Sequence, residues 1–199
     1  MGIEEAKLED VGPGLAPTSA GWFVVNTADA AWMRHEAFGG RCVFESSPRV
    51  LAERPDLEPQ LFRQLGFTLA VLEPGKPSGM YHAESNQEDF LVLSGACTLI
   101  IEDEERELRA WDFVHCPPHV NHVFVGTGDA PCVIFMAGRR DENRTIVYPR
   151  SDLARRHDAG VETETDDPRE AYARFGHWRA GRPEAWAELP WVGGDPRAG

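Results

Sequence analysis

Between Phe67 and Gly138 the chain repeats one pattern, a short apolar run followed by a polar turn. The runs are Phe67–Leu72, Phe90–Leu93, Cys97–Ile101, Phe113–Val114, His122–Val125 and Cys132–Ala137. They recur roughly every 8–20 residues, and none carries the 3.6-residue stripe of an amphipathic helix. Short strands joined by tight turns bury such runs, and spacing of this kind reads as an antiparallel sandwich or barrel. Asp103-Glu104-Glu105 and Gly126-Thr127-Gly128-Asp129 supply the chemistry of two hairpin turns.

The flanks are different in kind. Residues 1–20 carry charge, Gly and Pro without periodicity and read as an arm outside the core, either loose or lying on the body or on a partner subunit. In an N-terminal extension over 21–65, Gly21–Asn26 is strand-like, and Thr27 offers its hydroxyl as the cap of a helix over Ala28–Ala37 that stops at Gly39-Gly40. A strand over Arg41–Glu45 and a Pro-rich, charged loop over Ser46–Gln64 follow, and a strand over Gly66–Glu73 then opens the barrel core, residues 66–138. In the tail, 139–199, Ser151 caps a short helix to Arg156, and Asp167-Pro168-Arg169-Glu170 is a capping box opening a helix to about Phe175. Trp178, Trp186 and Trp191 are too large to leave in water, so this tail is expected to pack on the barrel or across a dimer interface.

Composition removes several function classes. In 199 residues, 33 acidic against 20 basic side chains give a formal net charge of −13, which repels phosphate backbones and anionic lipid, so nucleic acid is excluded as a partner. No apolar run approaches the ~20 residues that cross a bilayer, so no membrane partner is expected. Met1–Asp10 is acidic and lacks the features of a secretory signal, which makes the cytoplasm the expected compartment. Cys42, Cys97, Cys116 and Cys132 are widely spaced and form no Cys-x-x-Cys pair, so neither a zinc knuckle nor a disulfide framework is signalled. Cys42, Cys97 and Cys132 read as buried hydrophobes, and Cys116 as a packed Cys or a reactive thiol.

One constellation carries chemistry. Read as a strand, Tyr81-His82-Ala83-Glu84 points His82 and Glu84 to one face. Glu88 opens the next strand after the turn Ser85-Asn86-Gln87, and His122 opens another after the corner Cys116-Pro117-Pro118. Such strand starts can converge, and buried carboxylates facing one interior are costly unless something positive sits among them, a demand that a divalent metal answers. Around them, Tyr81, Asn86 and Gln87 read as turn residues or ligand-orienting groups, and His115 and His119 as solvated loop residues or parts of a barrel mouth. Phe67, Leu69, Phe90, Val92, Phe124 and Phe135 are the expected core, with the apolar character of a small-molecule pocket.

The stretch Gly75–Gly95 resembles the first motif of the cupin superfamily, with His82 at its first histidine, Glu88 at its glutamate and Gly95 at its closing glycine. Glu84 stands where that motif has its second histidine. Trp111–Gly126 resembles the second motif, with Asp112, Pro117 and His122 in register, Trp111 and His119 in place of its two glycines and Gly126 in place of its final Asn. Residues 96–110 form the short linker between the two, and the resemblance covers 66–138.

The resemblance implies an all-β fold, a double-stranded β-helix (cupin or jelly-roll) barrel, here with short helical N- and C-terminal extensions. It also implies one metal held by His82, Glu88 and His122, with Glu84 in the place of a third imidazole. Two His with one or two Glu suit Fe(II), Mn(II), Ni(II) or Zn(II). The function expected is a metal-dependent enzyme acting on a small organic molecule inside the barrel, of dioxygenase, isomerase or decarboxylase type, with Glu84 or Glu88 moving a proton. The alternative is a non-catalytic small-molecule-binding or sensing barrel, with or without a structural metal. A homodimer is expected through Trp22–Asn26 or the Trp-rich tail.

Overall fold

In the computed structural model, which describes residues 2–192, the central apolar runs are antiparallel strands. The chain begins with a small hairpin of β1 (Leu8–Asp10) and β2 (Leu15–Pro17), followed by β3 (Trp32–His35) and β4 (Gly39–Val43). The barrel strands are β5 (Leu65–Leu72), β6 (Ala83–Glu84), β7 (Glu88–Ser94), β8 (Ala96–Ile101), β9 (Glu104–Arg109), β10 (Phe113–Cys116), β11 (His122–Thr127) and β12 (Cys132–Arg139). The tail adds β13 (Ile146–Val147), α1 (Asp152–Arg156), α2 (Pro168–Ala171), β14 (Arg179–Ala180) and a 3-10 turn over Glu184–Glu188.

The strands form a seven-stranded sheet in the order β10-β7-β12-β5-β4-β3-β14, a three-stranded sheet β11-β8-β9 and the pair β13-β6. Backbone bridges from Pro77 to Val125 and from His82 to His122 tie the sheets together, giving an all-β, double-stranded β-helix barrel. Alternation along each strand sorts the core into two faces. Ala70, Leu72, Phe90, Val92 and Ile134 turn inward and meet Leu99 and Phe124 from the smaller sheet. Each fully buried side chain of this size contributes about 1.5–3 kcal/mol. Leu69, Val71 and Val133 turn to the other face, with Phe135 packed beside them.

That alternation corrects the expected lining. Phe90, Val92 and Phe124 face the barrel interior, whereas Leu69 and Phe135 belong to the outer cluster and Phe67 stacks on Phe135 with ring centroids 5.8 Å apart. The inner positions of β5 and β12 are held instead by Ala70, Leu72, Cys132, Ile134 and Met136.

The N-terminal region departs furthest from expectation. Ala28–Ala37 is not a helix: Asn26, not Thr27, accepts from the Ala28 N–H at 2.8 Å, and the bend it makes leads into β3. The reason is tertiary, since Trp32 is fully buried against Trp186 and Trp191, with ring centroids 5.4 and 5.7 Å away. Gly21–Asn26 forms no strand; Trp22 bridges to Glu5, and Trp22 and Val24 remain exposed. Residues 1–20 are not outside the core either, because Val11 and Ala16 are buried with Ala31, Met33, Val50 and Leu51.

The tail packs on the body of its own chain. Ser151 accepts from the Ala154 N–H at 3.0 Å and Asp167 from the Arg169 N–H at 2.8 Å, the two caps read from the sequence. The second helix ends at Ala171 rather than near Phe175, with Tyr172 as its C-cap. All four cysteines are free and buried. No helix among the described residues is long and apolar enough to cross a membrane.

Candidate metal centre

Three chain segments converge at one end of the barrel. β7 begins at Glu88 and β11 at His122. His82 pairs with His122 through two backbone bonds, the His82 N–H donating to the His122 carbonyl at 3.2 Å and the His122 N–H to the His82 carbonyl at 2.8 Å. Residues directly opposite in an antiparallel pair present their side chains on one face. The two imidazoles accordingly stand with ring centroids 5.0 Å apart. Their Nε2 atoms lie 3.9 Å (His82) and 3.5 Å (His122) from Oε2 of Glu88. One donor atom from each of the three residues lies within 4.8 Å of the other two.

Backbone carbonyls set the tautomers. Nδ1 of His82 is 2.7 Å from the Met80 carbonyl and Nδ1 of His122 is 3.0 Å from that of Val120. A carbonyl only accepts, so each Nδ1 carries the proton and each Nε2 turns a lone pair toward Glu88. Metal-ligating histidines are oriented in this way, by donation from the other ring nitrogen.

The charges point the same way. Burial, together with the neighbouring His82, pulls His122 down to about 4, and burial followed by the charge of Arg144 lowers His82. Burial and the charge of Glu84 push the Glu88 carboxyl up to about 8. Two neutral imidazoles and a carboxylate short of positive charge fit a divalent cation of the hard to borderline class. The side chains of His82 and Glu88 are 21% and 17% exposed against 3% for His122, so the group is reachable from one side. Phe90 floors it at 5.1 Å from the His122 ring, and Tyr148 flanks His82 at 5.9 Å.

Glu84 stands outside this group. Its Oε1 accepts from Nη1 of Arg144 at 2.6 Å, because β13 pairs with β6 and Ile146 lies opposite Glu84, which brings the preceding Arg144 over the carboxylate. None of the other sequence candidates joins the three-residue donor group, although Cys116 lies opposite Glu88 across the pair of β10 and β7. The Tyr81 hydroxyl accepts from the Asp103 N–H at 3.0 Å, Asn86 donates to the Arg139 carbonyl at 3.2 Å and Gln87 donates to Asp89 at 2.6 Å. His115 is exposed and bonds Asp89, and His119 is exposed in its loop. Cys116 is buried with its thiol pushed up to about 12 by burial and then by Glu88, which leaves it unreactive. Trp111 (φ +78) and His119 (φ +72) keep the left-handed backbone that the two replaced glycines would take freely.

Arg144 and Tyr148 were not legible as site residues. Both lie in the tail, and nothing in their local sequence marks a contact with His82 or Glu84; the only signal was the aromatic content of a segment too polar to be core.

A family model described as the cupin domain matches residues 68–138. No curated protein matches the chain. Among solved structures, the chain is similar to a sugar phosphate isomerase from a cupin superfamily of Silicibacter pomeroyi, 29% identical over 56% of this chain and 66% of that one, with a TM-score of 0.43. KdgF from Halomonas sp. is 21% identical over 62% of this chain and 98% of its own, with a TM-score of 0.46. The polyketide cyclase RemF from Streptomyces resistomycificus is 14% identical over 59% and 79%, with a TM-score of 0.47. The domain match runs from Thr68 within β5 to Gly138 within β12 and includes every strand between them, and it spans His82, Glu88 and His122. Residues 68–138, the barrel core of this chain, carry a cupin domain.

Proposed function

We propose that this protein is a metal-dependent enzyme acting on a small organic molecule inside the barrel, its metal held by His82, Glu88 and His122. The observation that carries the reading is the meeting of three donor atoms within 4.8 Å, two of them imidazole nitrogens whose lone pairs are aimed by backbone carbonyls. A divalent ion held by three protein ligands supplies Lewis acidity at open coordination positions, a requirement common to dioxygenase, isomerase and decarboxylase chemistry. The Met80 and Val120 carbonyls hold the protons on Nδ1 and so keep both Nε2 atoms available. Phe90 and Phe124 close the inner side of the group to water. Arg144 holds the Glu84 carboxylate at the rim, where it orients polar groups of a substrate.

The test is elemental analysis of protein purified without a metal-affinity tag, beside His82→Ala and His122→Ala. Near-stoichiometric metal in the wild type and its loss from both variants is the expected result. Equal metal content in all three removes the reading.

A further inference from the structure

Arg41 on the inner face of the large sheet has no counter-charge among the described residues. Arg41 sits in the middle of β4, opposite Ala70 of β5 and Met33 of β3, and shares the face on which Ala70 packs into the barrel core. Its Nε is buried and makes no hydrogen bond. Nη2 makes one long bond, 3.4 Å to the Ser78 carbonyl, and the guanidinium lies 4.1 Å over the Trp178 ring. Arg140 and Arg144 are paired with Glu45 and Glu84, but Arg41 has no carboxylate partner among the described residues.

Arginine does not shed its charge, and an unpaired charge taken out of water is costly. Burial lowers the Arg41 pKa, with Tyr172 acting in the opposite direction and the charge of Arg49 lowering it again, so the second guanidinium does not relieve the charge. Arg49 is exposed and likewise has no carboxylate partner among the described residues. An anion supplied from solution is the partner this arrangement lacks.

A chain of rings leads from Arg41 toward the candidate metal centre. The Trp178 ring beneath Arg41 stacks on Phe38 with centroids 6.5 Å apart, and Phe38 meets the ring of Tyr172 edge-on at 5.6 Å. The Tyr172 ring meets Tyr148 edge-on at 5.9 Å, and Tyr148 lies 5.9 Å from the ring of His82. The Tyr172 hydroxyl accepts from the Met80 N–H at 3.0 Å, and the carbonyl of the same residue holds Nδ1 of His82 at 2.7 Å.

We propose that Arg41, together with the exposed Arg49, binds an oxyanion of the substrate, a carboxylate or phosphate ester group, while the rest of the molecule reaches the group of His82, Glu88 and His122. The substrate class is therefore a small organic acid or organic phosphate. The assignment deepens the metal-centre reading and rests on it only for the second contact; the anion site stands on Arg41 and Arg49.

Thermal unfolding of the full chain as purified, titrated with inorganic phosphate and separately with succinate at constant ionic strength, tests it. The proteins compared are wild type, Arg41→Met, Arg49→Ala and His122→Ala, each with its metal content measured. An anion at tenfold its Kd raises the wild-type Tm by about 3–6 °C. Arg41→Met is expected to show no rise, Arg49→Ala a smaller one, and His122→Ala the full rise despite loss of its metal. A larger response to phosphate assigns a phosphate ester, and a larger response to succinate a carboxylate. No rise in the wild type, an undiminished rise in Arg41→Met or in Arg49→Ala, or loss of the rise in His122→Ala overturns the proposal. Arg49→Ala decides alone if Arg41→Met does not fold. Failure of the metal reading is seen separately, as metal-free wild type whose response to anions is intact.

Discussion

Glu84 and Glu88 enter the same end of the barrel, and their partners separate them. Glu88 faces two imidazole nitrogens whose protons are held elsewhere, while Glu84 is satisfied by Arg144. The two glutamines that replace them are therefore expected to behave differently. Glu88→Gln removes the one anionic donor of the three-residue group and is expected to lose the metal; Glu84→Gln is expected to keep near wild-type content, at a stability cost of about 1–3 kcal/mol for a weakened charged hydrogen bond. Elemental analysis with denaturant unfolding reads both, and metal lost from Glu84→Gln would place that carboxylate among the ligands. At this scale the sequence reading went as far as residue type and alternation allow. His82, Glu88 and His122 were legible because Glu88 and His122 open apolar runs, His82 lies in a strand-like stretch, and all three stand at positions of the two motifs that the sequence resembles. Arg144 was invisible, because its contact with Glu84 is created by the pairing of β6 with β13, and that pairing leaves no trace in either segment alone.

Among the elements, the hairpin of β3 and β4 carries Arg41 onto the inner face of the sheet, where the proposed anion site lies. Its turn depends on Gly39, which adopts φ +68 and approaches β5 so closely that an added Cβ would lie 2.2 Å from the Val71 carbonyl oxygen. A backbone atom cannot yield as a flexible side chain can. Gly39→Ala is expected to cost about 1–3 kcal/mol or more, the combined effect of a left-handed alanine and the displacement of β4 from β5. An unchanged urea midpoint would show that the turn tolerates the change. The same hairpin is where local reasoning failed, for Ala30-Ala31-Trp32-Met33 gives no period by which to tell a doubly buried strand from a helix. The caps of α1 and α2 were readable for the opposite reason: Ser151 and Asp167 bond backbone within three residues of themselves.

At the scale of the whole molecule, the C-terminal tail acts as part of the core. Trp186, Leu189 and Trp191 seal Trp32 on the outer face of the sheet. A chain ending at Gly181 exposes that face, and losing the burial of one large aromatic side chain, about 3 kcal/mol, corresponds to a fall in Tm of about 6–12 °C. Differential scanning calorimetry of the shortened chain checks this, and a Tm within a degree or two of the wild type would show that Trp32 finds other cover. The barrel end holding His82, Glu88 and His122 lies on the opposite face, so the shortened chain, if folded, is expected to retain its metal.

What could be known from the chain as text was whatever depends on near neighbours: strand periodicity, turn chemistry, helix caps, and the spacing that brings strand starts to one end of a barrel. Those are short-range properties, governed by backbone sterics and by the period of the side chains. Distant pairings settled the rest, namely which of Glu84 and Glu88 lies with the two imidazoles, whether Trp32 sits in a helix or a strand, and that Arg41 ends in the interior with no carboxylate partner among the described residues. Each depends on which residues far along the chain are brought alongside, and such contacts form only when the hydrophobic faces of all the elements are buried together.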